Sequence, residues 1–210
     1  MILDVTTLPH PLRFEEIFGR RAPIEIEIGV GKGRFLRERA TALPERDFFG
    51  IEKSKKYLLH AADRIRKAEL ANVRLAVTYA EGFIERFIPD QSVAAYHILF
   101  PDPWPKHRHT KRRLFTPLFL DQILRTLEPE GELHIATDYL EYFKHINEQL
   151  YAYFSKGLET NPVEPGPFLS NFQAKYLKEG RPLFFLKGIK RAGGSALQTR
   201  ERTPPPAIAS

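Results

Sequence analysis

The sequence predicts an α/β fold, a doubly wound and mostly parallel sheet with helices on both faces. Three observations predict it. Short β-like runs alternate with segments of helical periodicity. The first strong run, IEIEI (24–28), passes straight into a glycine-rich turn. A later run, HILF, ends abruptly at PDPW, as a buried strand does on reaching the edge of a sheet. Strands that alternate with helices pair in parallel, and right-handed crossovers then place helices on both faces.

Taken in order, IEIEI (24–28), DFFGI (47–51), VRLAV (73–77), VAAYHILF (93–100) and ELHIAT (132–137) read as strands. Behind Ser54, a good N-cap, Leu58, Ala61, Ala62, Ile65 and Ala68 recur at helical spacing. Thr116-Pro117 is a cap followed by proline at the first helical position, with Leu120, Ile123, Leu124 and Leu127 as the apolar stripe. A third helix is expected from Asp138, with Tyr139, Tyr142, Phe143, Ile146 and Leu150 on one side. After residue 156, KGLETNPVEPGPF reads as a loop. A short helix near SNFQAKYLKEG and an edge strand in PLFFLKG follow. The tail from Ala192 reads as flexible.

Composition narrows the function. The chain lacks cysteine, which removes disulfides, thiolate nucleophiles and thiolate metal sites. No run approaches the roughly 20 apolar residues of a membrane span. MILDVTTLPHPLRFEE has no basic region followed by an apolar one, so no signal peptide is expected and a cytoplasmic location is the default. The net charge is +6, and Lys106, Arg108, Lys111, Arg112 and Arg113 alone carry five positive charges. Charge so concentrated suits a polyanion, either nucleic acid or a membrane surface, although a solvated loop is the bland reading.

IEIEIGVGKGRFL sets Gly29, Gly31 and Gly33 between a strand and a helix. Such a turn lets a ligand approach the backbone beside free helix N–H groups. A dinucleotide fingerprint would need glycine at 34, where this chain has Arg34. Glu27 ends the strand, and either shares the solvated character expected of Glu25 or serves a ligand. Glu52, in GIEKS, lies about 20 residues past the glycines, where an acid accepts hydrogen bonds from ribose hydroxyls. Together they predict a nucleoside site. PDPW would then lie at the carboxyl end of the sheet, where open α/β sheets bind ligands, and would put Asp102 at the cofactor's reactive end. His97 reads as a core histidine.

The run FPDPWPKHRHTKRR, preceded by IGVGKG and GIEKS and followed by IATDY, strongly resembles the bacterial tRNA (guanine-N7)-methyltransferase family over residues 24 to 187. E-x-G-x-G-x-G looks like the first motif of methyltransferases that use S-adenosylmethionine. The resemblance implies a Rossmann-like enzyme that uses this cofactor to methylate guanine 46 in the tRNA variable loop. It implies one methyltransferase domain over 1–191, with 1–23 as an N-terminal extension, 156–191 as an added helix and edge strand, and 192–210 as the tail.

Position by position, Glu27, Gly29, Gly31, Glu52, Tyr79 and Asp102 match the cofactor site. Lys106, Asp138 and Ser170, Asn171, Phe172 and Gln173 match substrate-contacting positions. Arg108, His109, Thr110, Lys111, Arg112 and Arg113 match the segment that engages RNA. Two places depart from the family pattern. Tyr79 stands where an acid or amide is usual, and SNFQ replaces T-x-[FY]-E, so a negative charge is lost at Gln173 while the S-x-x-Q capping pattern survives.

Guanine N7 has an in-plane lone pair and no proton, so methylation needs alignment and charge compensation, not a general base. Asp102 is expected to supply that compensation, and Asp138 to accept from the guanine N1–H and 2-amino donors. Bland roles stand beside these: Asp138 as an N-cap boxed with Glu141, Asp102 as a turn former, and Trp104 and Phe172 as packing residues. The competing functions are a nicotinamide-dependent dehydrogenase, a non-catalytic RNA-binding member of the fold, and N7 methylation of another RNA. No metal site and no obligate protein partner are apparent from the sequence. Replacing Lys111, Arg112 and Arg113 together by alanine is expected to weaken tRNA binding and to flatten the slope of log affinity against log salt by roughly 0.7 to 0.9 per lost phosphate contact, with cofactor affinity nearly unchanged. A salt titration of tRNA binding checks it.

Overall fold

A computed structural model describes residues 1–153 and 157–191 of the chain. The expected tail, 192–210, lies outside the described residues. Along the chain the elements are β1 (Ile2–Leu3), α1 (Phe14–Phe18), β2 (Ile24–Ile28), α2 (Arg34–Ala42), β3 (Asp47–Glu52), α3 (Lys55–Lys67), β4 (Val73–Val77) and α4 (Ala80–Phe87). There follow β5 (Val93–Leu99), α5 (Pro117–Thr126), β6 (Leu127–Thr137), α6 (Leu140–Tyr151), β7 (Leu158–Pro162), α7 (Asn171–Lys178) and β8 (Phe184–Lys190).

One eight-stranded sheet runs in the order β1-β4-β3-β2-β5-β6-β8-β7. The first six strands of that order pair in parallel, while β8 is antiparallel to both β6 and β7. Strand order reverses between β2 and β5, so a crevice opens beyond their carboxyl ends. The doubly wound, Rossmann-like fold is therefore present.

The caps explain where helices begin. Ser54 Oγ accepts from the Tyr57 amide, and Thr116 Oγ1 from the Phe119 amide with Pro117 at the first position. Each face of the sheet carries its own apolar core. Ile24, Ile26, Ile28 and Phe49 pack with Phe83, Ile84, Leu120 and Ile123 on one side. Phe48, Val73 and Leu75 pack with Leu36, Leu58, Ala61 and Ile65 on the other. Adjacent Phe48 and Phe49 thus serve opposite cores, as the two-residue period of a strand requires.

Several expectations are corrected. KGLETNPVEPGPF is not all loop, because β7 forms within it and takes the sheet edge. The PLFFLKG strand is consequently interior, paired on both sides. Residues of the N-terminal extension join the sheet, since Ile2 and Leu3 pair with Leu75 and Ala76. Leu127, expected on the α5 stripe, is the first residue of β6. The third helix starts at Leu140 behind Tyr139, with no side-chain cap. Glu141 pairs with Lys144 and not with Asp138, so the capping box does not form.

All five residues of IEIEI are buried, including Glu25. Its carboxylate is not solvated. It receives Arg39, Arg46 Nη1 at 3.0 Å and His97 Nε2 at 2.8 Å. Burial alone would raise its pKa, but His97 and Arg39 outweigh that and hold it at about 2. His97 is the expected core histidine, and its ring stacks on His134 at 4.9 Å. Burial pushes its pKa down to about 4 against the pull of Glu25.

These shifts set the acid sensitivity of the fold. Unfolded chains take up a proton at His97 near its ordinary 6.5, while the folded chain resists until about pH 4. Stability is therefore full above pH 6.5 and declines toward pH 4, by on the order of 3 kcal/mol from His97 alone. Glu25 adds a loss of the same sign between 4.5 and about 2. Denaturant unfolding across this range is expected to show the decline, and His97→Asn to flatten it between pH 6.5 and 4.

Candidate active site

The glycine turn leaves β2 and enters α2 with positive φ at Gly29, Gly31 and Gly33. At Gly33 an added Cβ would lie 2.7 Å from that of Ala61, so glycine permits α2 to pack on α3. At Gly31 an added Cβ would meet only Gly29 O, at 4.0 Å, so this part of the turn faces open space. Gly29 closes the turn by donating to Ile51 O at 2.8 Å.

Glu52 ends β3 beside the turn. Its two oxygens accept from the Gly31 amide at 2.9 Å and the Ser54 amide at 2.8 Å. Glu27, next to last in β2, is 3% exposed. One of its oxygens, Oε2, is buried with no hydrogen-bond partner. Burial first, and then the charge of Glu52, push its pKa well above the usual carboxylate range, against the Leu36 amide of the first turn of α2.

Asp102 lies beyond the β5 tip and takes Lys53 Nζ at 2.9 Å. Lys53 follows Glu52 directly, so this pair ties the tips of β3 and β5 together. Its pKa is raised by Asp102 foremost, and also by Glu52 and Tyr79. Glu27, Glu52, Tyr79 and Asp102 thus share one end of the sheet. Tyr79 precedes α4 and is 72% exposed, without a capping hydrogen bond.

The PDPW segment is strained. Phe100 and Trp104 both have positive φ, which costs about 1 to 3 kcal/mol for each such non-glycine residue. The basic block offsets this. Arg113 donates to Pro103 O at 3.0 Å and lies over the Tyr142 ring, and Arg112 lies over Trp104 at 5.0 Å. His109 meets Trp104 edge to face. Trp104 therefore packs against the basic block. Lys106, Arg108 and Lys111 are exposed, Thr110 is half-buried, and 107–112 form a 3-10 helix. Arg113 is half-buried and Arg112 lies on Trp104, so these two brace the segment that carries Asp102, and replacing them along with Lys111 is expected to disturb that end of the sheet as well as to remove charge.

Asp138, past the β6 tip, receives Arg181 Nη1 at 2.9 Å. Ser170 caps α7 by accepting from the Gln173 amide at 3.0 Å, as its pattern predicts. Gln173 is buried, whereas Phe172 is 48% exposed and touches Tyr176. Asn171 accepts from Arg64 Nη1 at 3.3 Å, and the same nitrogen donates to Lys32 O at 3.0 Å. That arginine ties α7 to the glycine turn. At its other end Tyr176 meets Phe100 edge to face at 5.5 Å, next to the β5 tip. Sequence reasoning missed Lys53, Arg64, Tyr176 and Arg181. Only Lys53 had a signal, its place directly after Glu52.

Comparison with known proteins bears on this geometry. A family described as "Putative methyltransferase" matches residues 21–186. A tRNA (guanine-N(7)-)-methyltransferase of Alkalilimnicola ehrlichii is 38% identical over 189 residues, covering 87% of this chain and 78% of the relative. A protein of the same name from Listeria innocua is 36% identical over 181 residues, covering 83% and 84%. The chain belongs to the tRNA (guanine-N(7)-)-methyltransferase family.

Members of the fold extend further. The 16S rRNA methyltransferase KamB superposes with a TM-score of 0.63 at 16% identity over 85% of this chain and 93% of KamB, a likeness of fold. Within this methyltransferase the buried Glu27 carries a built-in test. Its Oε2 stands without a partner in the folded protein, so Glu27→Gln is expected to leave the melting temperature at pH 7 unchanged or raised while weakening binding of a cationic ligand. Thermal melts beside a titration with S-adenosylmethionine check both halves.

Proposed function

We propose that this protein transfers a methyl group from S-adenosylmethionine to N7 of guanine 46 in the variable loop of tRNA. The observation that carries this reading is the gathering of Glu27, Glu52 and Asp102 around one glycine turn, beside a cationic rim. The names of the relatives from Alkalilimnicola and Listeria support the tRNA substrate and the N7 position. Position 46 rests on the sequence resemblance. Residues 1–191 act as one catalytic domain in the cytoplasm. No helix of the described residues is long and apolar enough to cross a membrane.

The residues fit the cofactor. Glu27 Oε2 is a buried acceptor without a donor, and an arriving cation would favour its ionised form. Gly31 leaves open space at the turn, and Glu52, bonded to the Gly31 amide beside it, supports the reading of an acceptor for ribose hydroxyls. Glu27, Gly29, Gly31, Glu52, Tyr79 and Asp102 would hold it. When bound, S-adenosylmethionine supplies an electrophilic methyl group on a sulfonium.

The chain's own task is alignment. Lys106, Asp138 and residues 170–173 orient the guanine, while Arg108, His109, Thr110 and Lys111 hold the RNA and Arg112 and Arg113 brace the segment that carries them. N7 presents a lone pair without a proton, so no side chain needs to remove one. Positive charge grows on the purine during attack, and Asp102 stabilises it electrostatically once Lys53 has yielded. That exposed pair is worth little, so the exchange is cheap. A second reading, an RNA-binding member with weakened catalysis, rests on Tyr79 and on the uncharged, buried Gln173.

Incubation with S-adenosylmethionine and tRNA lacking the modification, followed by nucleoside mass spectrometry, is expected to yield 7-methylguanosine at position 46. Asp102→Ala is expected to lower kcat by about 100-fold or more without loss of stability. Bound tRNA without product would favour the second reading.

A further inference from the structure

The contacts of Arg181 have the form of a base-binding site. Arg181 follows Gly180, which ends the α7 turn with φ of +65°. Its guanidinium donates to Asp138 Oδ2 at 2.9 Å, and its Cζ lies over the Tyr176 ring, 4.4 Å from the centroid. Phe100 approaches the same ring edge to face, at 5.5 Å, from the tip of β5. A planar group with neighbouring N–H donors is thus stacked on an aromatic side chain and paired with a carboxylate. The N1–H and 2-amino edge of guanine presents the same features: a flat π-surface with adjacent donors in its plane. Single unstacked bases are read in this way, by an aromatic face and by hydrogen bonds to the Watson–Crick edge.

We infer that Tyr176 is the stacking platform for the target guanine and that Arg181 is an internal stand-in, which holds the platform and Asp138 until the base displaces it. The inference rests on the proposed reading of Asp138 as the acceptor for the guanine edge. Displacement leaves no charge stranded. Arg181 Nε already reaches Glu179 Oε2 at 2.8 Å, and half of the arginine side chain is open to solvent. Glu179 keeps the guanidinium as Asp138 changes partner, so one carboxylate always holds it. Tyr176 itself is half-buried and anchored, since its carbonyl accepts from the Arg181 amide at 3.0 Å. Its neighbour Phe172, at 5.8 Å, extends the aromatic surface toward solvent.

The test uses the full-length protein, an unmodified tRNA transcript, and S-adenosylhomocysteine to prevent turnover during binding. Arg181→Ala and Arg181→Gln remove the competitor, and each is expected to tighten binding of the transcript by about threefold or more. A transcript abasic at the target position is expected to bind them as it binds the wild type. Tyr176→Leu is expected to weaken transcript binding about tenfold with cofactor affinity unchanged, and Tyr176→Phe, which keeps the ring, to stay within about twofold of the wild type. Unchanged or weaker binding by both Arg181 variants, with melting temperatures intact, would overturn the stand-in. Equal losses in Tyr176→Phe and Tyr176→Leu would overturn the platform, since they would assign the effect to the hydroxyl. The Asp138 reading is tested apart: Asp138→Asn should erase the preference in kcat/KM for guanosine over inosine, which lacks the 2-amino group. If that preference survives, the base-reading role of Asp138 fails whatever the Arg181 variants do.

Discussion

Carboxylates brought to the ends of neighbouring strands repel one another, and the site is organised by how each is compensated. Glu52 uses two backbone N–H groups. Asp102 uses Lys53, and Asp138 uses Arg181. Of these four carboxylates, only Glu27 has a buried oxygen without a partner, and the charge of Glu52 adds to the cost of ionising it. A nearly dry carboxyl beside a second acid is poorly stable unless a cation arrives, so the folded protein holds unspent affinity for a positive group at that point.

Glu25 makes the contrast on the same strand and the same face, two residues earlier. It too is buried, yet two arginines and a histidine satisfy it, and its pKa falls where that of Glu27 rises. The difference is one of position. Glu25 sits toward the amino end of β2, where Arg39 from the end of α2 and Arg46 beyond it can reach. Glu27 sits at the carboxyl end, where α2 begins and offers only backbone N–H groups. One carboxylate is therefore satisfied within the fold, while the other keeps a buried oxygen without a partner.

The PDPW segment links the two halves of the site. Its two left-handed residues turn the chain sharply after β5, and the basic block keeps it there through Arg112 on Trp104 and Arg113 on Pro103. Part of the charge of the basic block is thus spent in shaping the turn after β5. α7 completes the enclosure, with Arg64 tying it to the glycine turn and Tyr176 meeting Phe100.

Much of this was legible in the chain itself. Strand periodicity, the Ser54, Thr116 and Ser170 caps, and the glycine spacing are local signals, so the parallel sheet and the identity of Glu27, Glu52 and Asp102 followed from short stretches. The family resemblance supplied expectations for substrate positions, on which periodicity was silent. Tertiary structure decided everything set by distant neighbours. Glu25 looked solvated because alternation in IEIEI cannot reveal that Arg39, Arg46 and His97 close over it. β7 hid in a turn-rich stretch because its pairing with β8 is non-local, and the same pairing moved β8 off the edge. Asp138 looked like a cap because its true partner, Arg181, lies 43 residues away. Tyr176 and Arg181 gain their meaning only from what folding sets against them, which no local pattern records.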